Sequence, residues 1–395
     1  MHSVRRLDAT GASLDKALTA LYSLNASNHI EPVRSQRLLS VGNAAHRLPF
    51  GDGVPTSTSS ALGSFMARPA CLRSPARALR TRRSFVALAA GCLAVTAVGG
   101  CARKGADKFV VGFSQMESDN PWRIAETKSL RDEAAKRGIE LVVTDAQGQT
   151  AKQVSDVEDL IARRVSVILL APREFEGLAP ALQAAKAANI PVILVDREAK
   201  GTAGTDYVTL LASNFVEQGQ RAAEWLAQST GGKAGIVELS GTPGSSVAAD
   251  RGKGFRDGIA KYPGMQILAS QTGNFSRAQG ERVMQNLAQS LGTKITAVYA
   301  HNDEMALGAL QALKESGRKP GVDVVVVSVD GQRAALEAIN GGELGATVES
   351  NPRFGPLAFE TIDKVRRREA VPTKILLTDR LFDKKNAAQF VGEAY

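Results

Sequence analysis

From Phe109 onward the chain alternates short β-branched apolar runs with amphipathic stretches of about 12–16 residues, and this alternation limits the possible folds more than any other feature. Strand-like runs fall at Phe109–Phe113, Leu141–Thr144, Val167–Leu170, Val192–Val195, Gly235–Leu239, Ile267–Ser270, Ala297–Tyr299 and Val324–Val329. Helical patterns lie between them, at Trp122–Arg137, Ala151–Arg163, Leu178–Ala188, Phe215–Ala227, Val247–Ala260, Arg277–Ser290 and Glu304–Ser316. Runs that are apolar almost throughout, rather than at every second residue, belong to strands covered on both faces. A β/α alternation of such strands builds parallel sheets. Pro191 opens a strand run, where its missing N–H breaks no ladder bond. Gly138, Gly317 and Gly341 follow helical stretches as C′ residues. So many βα units exceed one open sheet of usual size, and two α/β lobes are expected.

In open α/β sheets a ligand sits beyond the carboxyl ends of the strands. Those positions are polar here: Ser114 to Arg123 after the first run, Asp196-Arg197 after the fourth, His301-Asn302-Asp303 after Ala297–Tyr299, and Asp330 after Val324–Val329. The first such turn reads Gly112-Phe113-Ser114-Gln115 and has no Gly-x-Gly-x-x-Gly loop, which excludes a nicotinamide-dependent dehydrogenase. Charge gives no nucleic-acid partner either. Of the net +9, most comes from residues 1–100, which hold 12 Lys and Arg against 4 acids; the rest carries 37 against 36. All three cysteines (Cys71, Cys92, Cys101) precede the body, and His301 is its only histidine. No disulfide, no thiolate metal site and no cysteine nucleophile are expected there, and no cofactor or catalytic residue.

Ser84 to Gly100 is uncharged, small and apolar, and follows a cluster of arginines. It is shorter than the ~20 residues a membrane-spanning helix needs and has the n- and h-regions of a secretory signal. Thr81-Arg82-Arg83-Ser84-Phe85-Val86 resembles the twin-arginine export motif. Val98-Gly99-Gly100-Cys101 resembles a bacterial lipobox, in which Cys101 becomes the lipidated first residue of the mature chain. Met66 opens a signal peptide of ordinary length, residues 66–101. Residues 1–65 are expected to be disordered or to precede the true start.

Five segments, each after an expected strand or opening an expected helix, carry a family resemblance. They are Asn120-Pro121-Trp122; Pro191 to Asp196-Arg197; Asp250-Arg251 with Gly254-Phe255; Asn302-Asp303 with Met305-Ala306-Leu307-Gly308-Ala309; and Ser328-Val329-Asp330-Gly331. Together they make residues 105–395 resemble the type I periplasmic binding proteins of sugar ABC transporters, the ribose- and galactose-binding group. Gly112 to Gln115, Trp122-Arg123 with Ala125-Glu126-Thr127, Tyr299 to Asp303, and Val348-Glu349 with Gly355-Pro356 are similar to the galactofuranose-binding branch. The resemblance implies two Rossmann-like lobes with parallel sheets joined by a three-strand hinge. The first lobe would take 105–212 plus 351–377, and the second 213–350 plus 378–395. It further implies a periplasmic monomer without enzymatic activity that passes a monosaccharide to an ABC permease and its ATPase. The membrane would be met only through the lipid anchor. A chemotaxis or sensor-kinase receptor has the same body. So does a LacI-type regulator, but a secretory h-region stands where its helix-turn-helix would be.

The residue types suit a hydroxyl-rich ring. A carboxylate accepts twice, a guanidinium donates as a fork, an amide does one of each, and aromatic rings cover C–H faces. The expected ligand set is Trp122, Arg123, Asp196, Arg197, Arg251, Phe275, Asn302 and Asp330, joined by Asn120, Glu349, Glu117 and Ser114. Trp122 and Phe275 serve as platforms. Arg123 replaces an aromatic of the ribose-binding relatives, which speaks against ribose itself. Asp303, rather than Asn302, is expected to cap the helix that follows, and His301 is expected to be structural. Galactofuranose leads among the sugars; galactose, arabinose and other pentoses and hexoses follow.

Overall fold

In the computed structural model of the protein, which describes residues 108–395, the near-continuous apolar runs become central strands. Val167–Leu170 and Val192–Val195 are buried at every position, as strands covered by helices on both faces must be. In chain order the first elements are β1 (Val110–Gln115), α1 (Pro121–Lys136), β2 (Glu140–Asp145), α2 (Thr150–Ala162), β3 (Val167–Leu170), α3 (Ala179–Ala187), β4 (Val192–Val195) and β5 (Thr209–Ala212). There follow α4 (Phe215–Thr230), β6 (Lys233–Ser240), α5 (Ser246–Ile259), β7 (Gly264–Thr272), α6 (Arg277–Leu291), β8 (Ala297–Ala300), α7 (Asp303–Glu315), β9 (Val325–Asp330), α8 (Arg333–Gly341) and β10 (Ala346–Glu349). The last are α9 (Gly355–Arg366), β11 (Lys374–Leu376), β12 (Leu381–Asp383) and α10 (Ala387–Phe390).

Two six-stranded sheets result, ordered β11-β5-β4-β3-β1-β2 and β12-β10-β9-β8-β6-β7. All pairings are parallel except β10 with β12. The chain passes between the sheets after β5, after β10 and after β11, so three crossings join them: Ser213-Asn214, Ser350 to Phe354, and Leu377 to Arg380. After the second crossing, Phe354, Phe359 and Ile362 return to the first sheet and pack with Phe113 and Leu130. A Phe side chain buried in this way contributes about 1.5–3 kcal/mol, enough to fix α9 to the first sheet.

Every strand expected from the sequence is present, with ends shifted by three residues at most. Four are additional: β5, β10, β11 and β12. The last two have three residues each, too few to show a period. Gly138 and Gly317 follow α1 and α7 at φ +64° and +78°. Gly341 is the last residue of α8, and Gly342 at φ +82° takes the left-handed cap expected of it. The expected leader, residues 66–101 with Cys101, and the expected disorder or false start at 1–65 lie outside the described residues. No helix among the described residues is long and apolar enough to cross a membrane.

Candidate functional site

In each sheet the strand order reverses where the first strand stands between the second and third: β2-β1-β3 and β7-β6-β8. A crevice opens at such a point beyond the strand ends. After β1, Asn120 caps α1, its Oδ1 accepting from Trp122 N at 2.9 Å, with Pro121 at the first helical position. The cap sets Trp122 and Arg123 in the first turn. The Trp122 indole donates from Nε1 to Ser350 O at 2.8 Å. The Arg123 guanidinium lies 4.5 Å from the centre of the Trp122 ring. Its Nη1 donates to Glu126 Oε2 at 2.9 Å and its Nη2 to Asp196 Oδ2 at 2.6 Å. Beyond β4, Asp196 turns the chain at φ +66°, a left-handed conformation that Asp tolerates better than most residues. Arg197 donates from Nη1 to Arg173 O at 2.9 Å.

The second sheet adds a matching set. α5 approaches α4 so closely that a Cβ on Gly219 would lie 2.2 Å from Arg251 O, and one on Gly254 would lie 1.9 Å from Val216 O. This contact fixes the depth of Arg251. Its Nε donates to Gln218 Oε1 at 2.9 Å, its Nη1 to His301 O at 2.5 Å, and its Nη2 reaches Asp330 Oδ1 at 3.4 Å. Phe275, at φ +58°, lays its ring on Gly241, where a Cβ would collide at 2.0 Å. Asp330 ends β9 at φ +138°. His301 is buried below, its Nε2 3.1 Å from Glu238 Oε1 and its Nδ1 accepting from Gly241 N at 3.3 Å, which is the structural part expected of it.

All these charges are buried. Burial disfavours the Arg123 cation, but the Asp196 and Glu126 carboxylates outweigh it and hold the proton more firmly than usual. Arg197 is pulled down to about 9 by burial first and the Arg123 cation second. Burial raises Glu126 and Asp330; Arg123 opposes the first and Arg251 the second. Burial also pushes His301 below its ordinary value, so the ring is neutral at pH 7 despite Glu238.

The two sets face one narrow cavity. Trp122, Arg123, Asp196, Arg197, Asn120 and Glu117 line it from the first sheet; Arg251, Phe275, Asn302 and Asp330 line it from the second. Val247 and Ser350 also line it and were not anticipated. Three contacts tie its rims: Asn120 Nδ2 donates to Phe275 O at 3.3 Å, Phe175 N to Gly244 O at 2.9 Å, and Glu198 N to Ser246 Oγ at 3.0 Å. The Arg197 guanidinium lies 5.2 Å from the centre of the Phe275 ring.

Two expected residues lie elsewhere. Ser114 is wholly buried inside β1, between Thr144 and Leu170, and does not reach the cavity. Glu349 turns away to Arg380, with Oε1 accepting from Nη2 and Oε2 from Nε, both at 2.8 Å. The helix cap is corrected as well. Asn302 caps α7, its Oδ1 accepting from Met305 N at 3.0 Å, while its Nδ2 donates to Phe275 O at 3.1 Å. Asp303 turns inward to Ser328 Oγ, Thr347 Oγ1 and Gln332 N. Glu126 and Gln218 escaped the sequence reading. The helical spacing of Arg123 and Glu126 could have shown the first; nothing local marks the second. Among the described residues no group of three or more His, Cys, Asp or Glu stands close enough to hold a metal ion.

Two α/β halves that turn paired acids and arginines toward one cleft define a two-lobed solute-binding protein. The periplasmic binding protein domain matches residues 111–365, and the chain belongs to that family. It is 40% identical over 273 residues to the galactofuranose-binding protein YtfQ of Escherichia coli (strain K12), covering 68% of this chain and 86% of that one. It is 38% identical over 275 residues to the ribose import binding protein RbsB of Bacillus subtilis (strain 168), covering 68% and 87%. Among solved structures it is similar to the periplasmic binding protein component of the arabinose ABC transporter from Shewanella sp. ANA-3 bound to α- and β-L-arabinofuranose. That match has a TM-score of 0.70 and 41% identity over 72% of this chain and 95% of that one.

Proposed function

We propose that the chain is the binding protein of a sugar ABC importer, taking one neutral monosaccharide into the cavity and presenting it to the permease and its ATPase. One observation carries this reading. Each side of the cavity offers a carboxylate already paired with a guanidinium, Asp196 with Arg123 and Asp330 with Arg251, and an aromatic ring, Trp122 or Phe275. Such pairs keep lone pairs and N–H groups for hydroxyls while cancelling net charge, so they suit a neutral polyol. The rings suit its C–H faces. A sugar acid would bring its carboxylate against Asp196 and Asp330.

The first lobe is taken as 105–212 plus 351–377 and the second as 213–350 plus 378–395, which agrees with the strands each sheet holds. The ligand bridges the lobes, and closure follows because only the closed state makes both sets of contacts. A furanose, galactofuranose first, is favoured by the likeness to the galactofuranose- and arabinofuranose-binding relatives. The leader reading completes the proposal: export to the periplasm with Cys101 as lipid anchor.

Isothermal titration of the purified protein against furanose and pyranose forms of galactose, arabinose and ribose, with galacturonate as the acidic control, tests it. Saturable micromolar or tighter binding of a neutral sugar is expected. Binding of galacturonate alone, or of none of these, refutes it.

A further inference from the structure

Gln218 stands one turn into α4, just past the first crossing, and is buried. Both polar atoms of its side chain are engaged. Oε1 accepts from Arg251 Nε at 2.9 Å. Nε2 donates to Glu349 O at 3.1 Å and to Asp379 Oδ2 at 2.8 Å. The far side of the Asp379 carboxylate accepts from Ser213 Oγ at 3.1 Å, and the Asp379 carbonyl accepts from Arg221 Nη1 at 2.5 Å. Ser213 is on the first crossing, Glu349 is the residue before the second, and Asp379 is on the third. One amide thus joins an arginine of the cavity to two crossings directly and to the remaining one through Asp379.

We infer that Gln218 is a positioning residue that couples Arg251 to the hinge, so that the orientation of the ligand-facing guanidinium and the opening angle of the lobes are set together. The inference rests on the sugar-binding reading for its ligand and on the hydrogen bonds above for its mechanism. Arg251 has its Nε fixed by Gln218 and its Nη1 by His301 O, while its Nη2 meets Asp330 only at 3.4 Å. Nη2 is therefore the arm least committed to the protein, and it lies beside Asp330, which also lines the cavity. A rotation about the crossings changes the distances among Ser213, Glu349 and Asp379. Since Gln218 has no spare group to absorb that change, it must shift with them or release Arg251. An amide suits the place and a carboxylate does not: Nε2 faces Glu349 O and the Asp379 carboxylate, whose burial lifts it to about 6.

The test is a double-mutant cycle with two readouts. Gln218→Met keeps length and loses all three bonds; Arg251→Lys loses Nε. Titration with the neutral sugar that binds the wild type best is expected to show Gln218→Met weakening affinity about tenfold, the loss of one bond to a charged group. In the Arg251→Lys background the same change is expected to cost less than twofold. An equal loss in both backgrounds, or none in either, overturns the coupling. Small-angle scattering of the ligand-free protein needs no sugar and so judges the hinge role even if the binding reading fails. A shifted open–closed distribution in Gln218→Met is expected, and a profile identical to wild type overturns the inference. Should that variant not fold, Gln218→Glu, which loses the donor to Asp379 and Glu349, must shift the same profile; an unchanged one again overturns it.

Discussion

Asp196→Asn isolates the charge of the first carboxylate–guanidinium pair. Asparagine has nearly the same shape and, like aspartate, tolerates the φ of +66° found there. Alanine would add a left-handed backbone cost of about 1–2 kcal/mol. The carboxylate accepts from Arg123 Nη2 at 2.6 Å and lies 3.7 Å from Arg197 Nε. Removing its charge has two consequences. A ligand hydroxyl loses a charged acceptor, about 1.5–3 kcal/mol, so affinity should fall roughly 10- to 150-fold. Arg123 and Arg197, both buried, lose the anion between them. Breaking a buried pair commonly costs about 3–5 kcal/mol. The loss here should be smaller, since Glu126 still accepts from Arg123 at 2.9 Å.

Titration calorimetry gives the first quantity and urea denaturation of the ligand-free protein the second. The alanine variant should bind as weakly as the asparagine one yet unfold at lower urea. An asparagine variant whose affinity stays within twofold of wild type for every sugar bound would show that Asp196 faces the cavity without serving it, and the paired-carboxylate argument would fall.

Two further outcomes separate neighbouring roles. Glu349→Gln should leave affinity within about threefold and reduce stability by about 1 kcal/mol, the usual worth of a pair whose arginine is partly exposed; an affinity loss matching that of Asp196→Asn would return Glu349 to the ligand. Asp303 is raised by burial from its ordinary 3.8 to about 6, so the folded state holds its proton more firmly than the unfolded chain does. Relative to Asp303→Asn, the wild type should therefore lose stability as pH rises from about 4 to about 6 and stay level above that; denaturation curves at several pH values that run parallel for the two proteins would contradict this.

The strands were legible because burial on both faces leaves an unbroken apolar run, as in Val192–Val195. The cavity was legible because strand ends fix which residues face it: Asp196 and Asp330 each follow an apolar run directly, and Asn302 follows one after His301. What the sequence hid depends on distance or on backbone. Glu349 ends its strand just as Asp330 does, but its partner Arg380 lies 31 residues further on, past the second crossing and at the end of the third. Ser350 contributes a carbonyl, which every residue has. Asp196, Phe275 and Asp330 all stand at positive φ. Such backbone costs on the order of 1–3 kcal/mol each and holds only where the surroundings dictate it. A composition or a period carries none of this.

The arrangement also bears on where the free energy of closure originates. Within each half the charged pairs are complete before the halves meet: Arg123 with Glu126 and Asp196 needs only the first, and Arg251 with Gln218 and Asp330 only the second. Across the rims stand three neutral hydrogen bonds, the longest at 3.3 Å, and one guanidinium over a ring. Three such bonds are worth about 0.5–1.5 kcal/mol each, against the entropy lost when a mobile hinge is fixed. Direct contacts alone therefore leave closure poorly driven. A ring whose hydroxyls reach Asp196 on one side and Asp330 on the other adds charged hydrogen bonds that exist only when both halves are near. On the binding role proposed above, that difference between the states, and not the tightness of either half alone, would let a bound solute close the cleft.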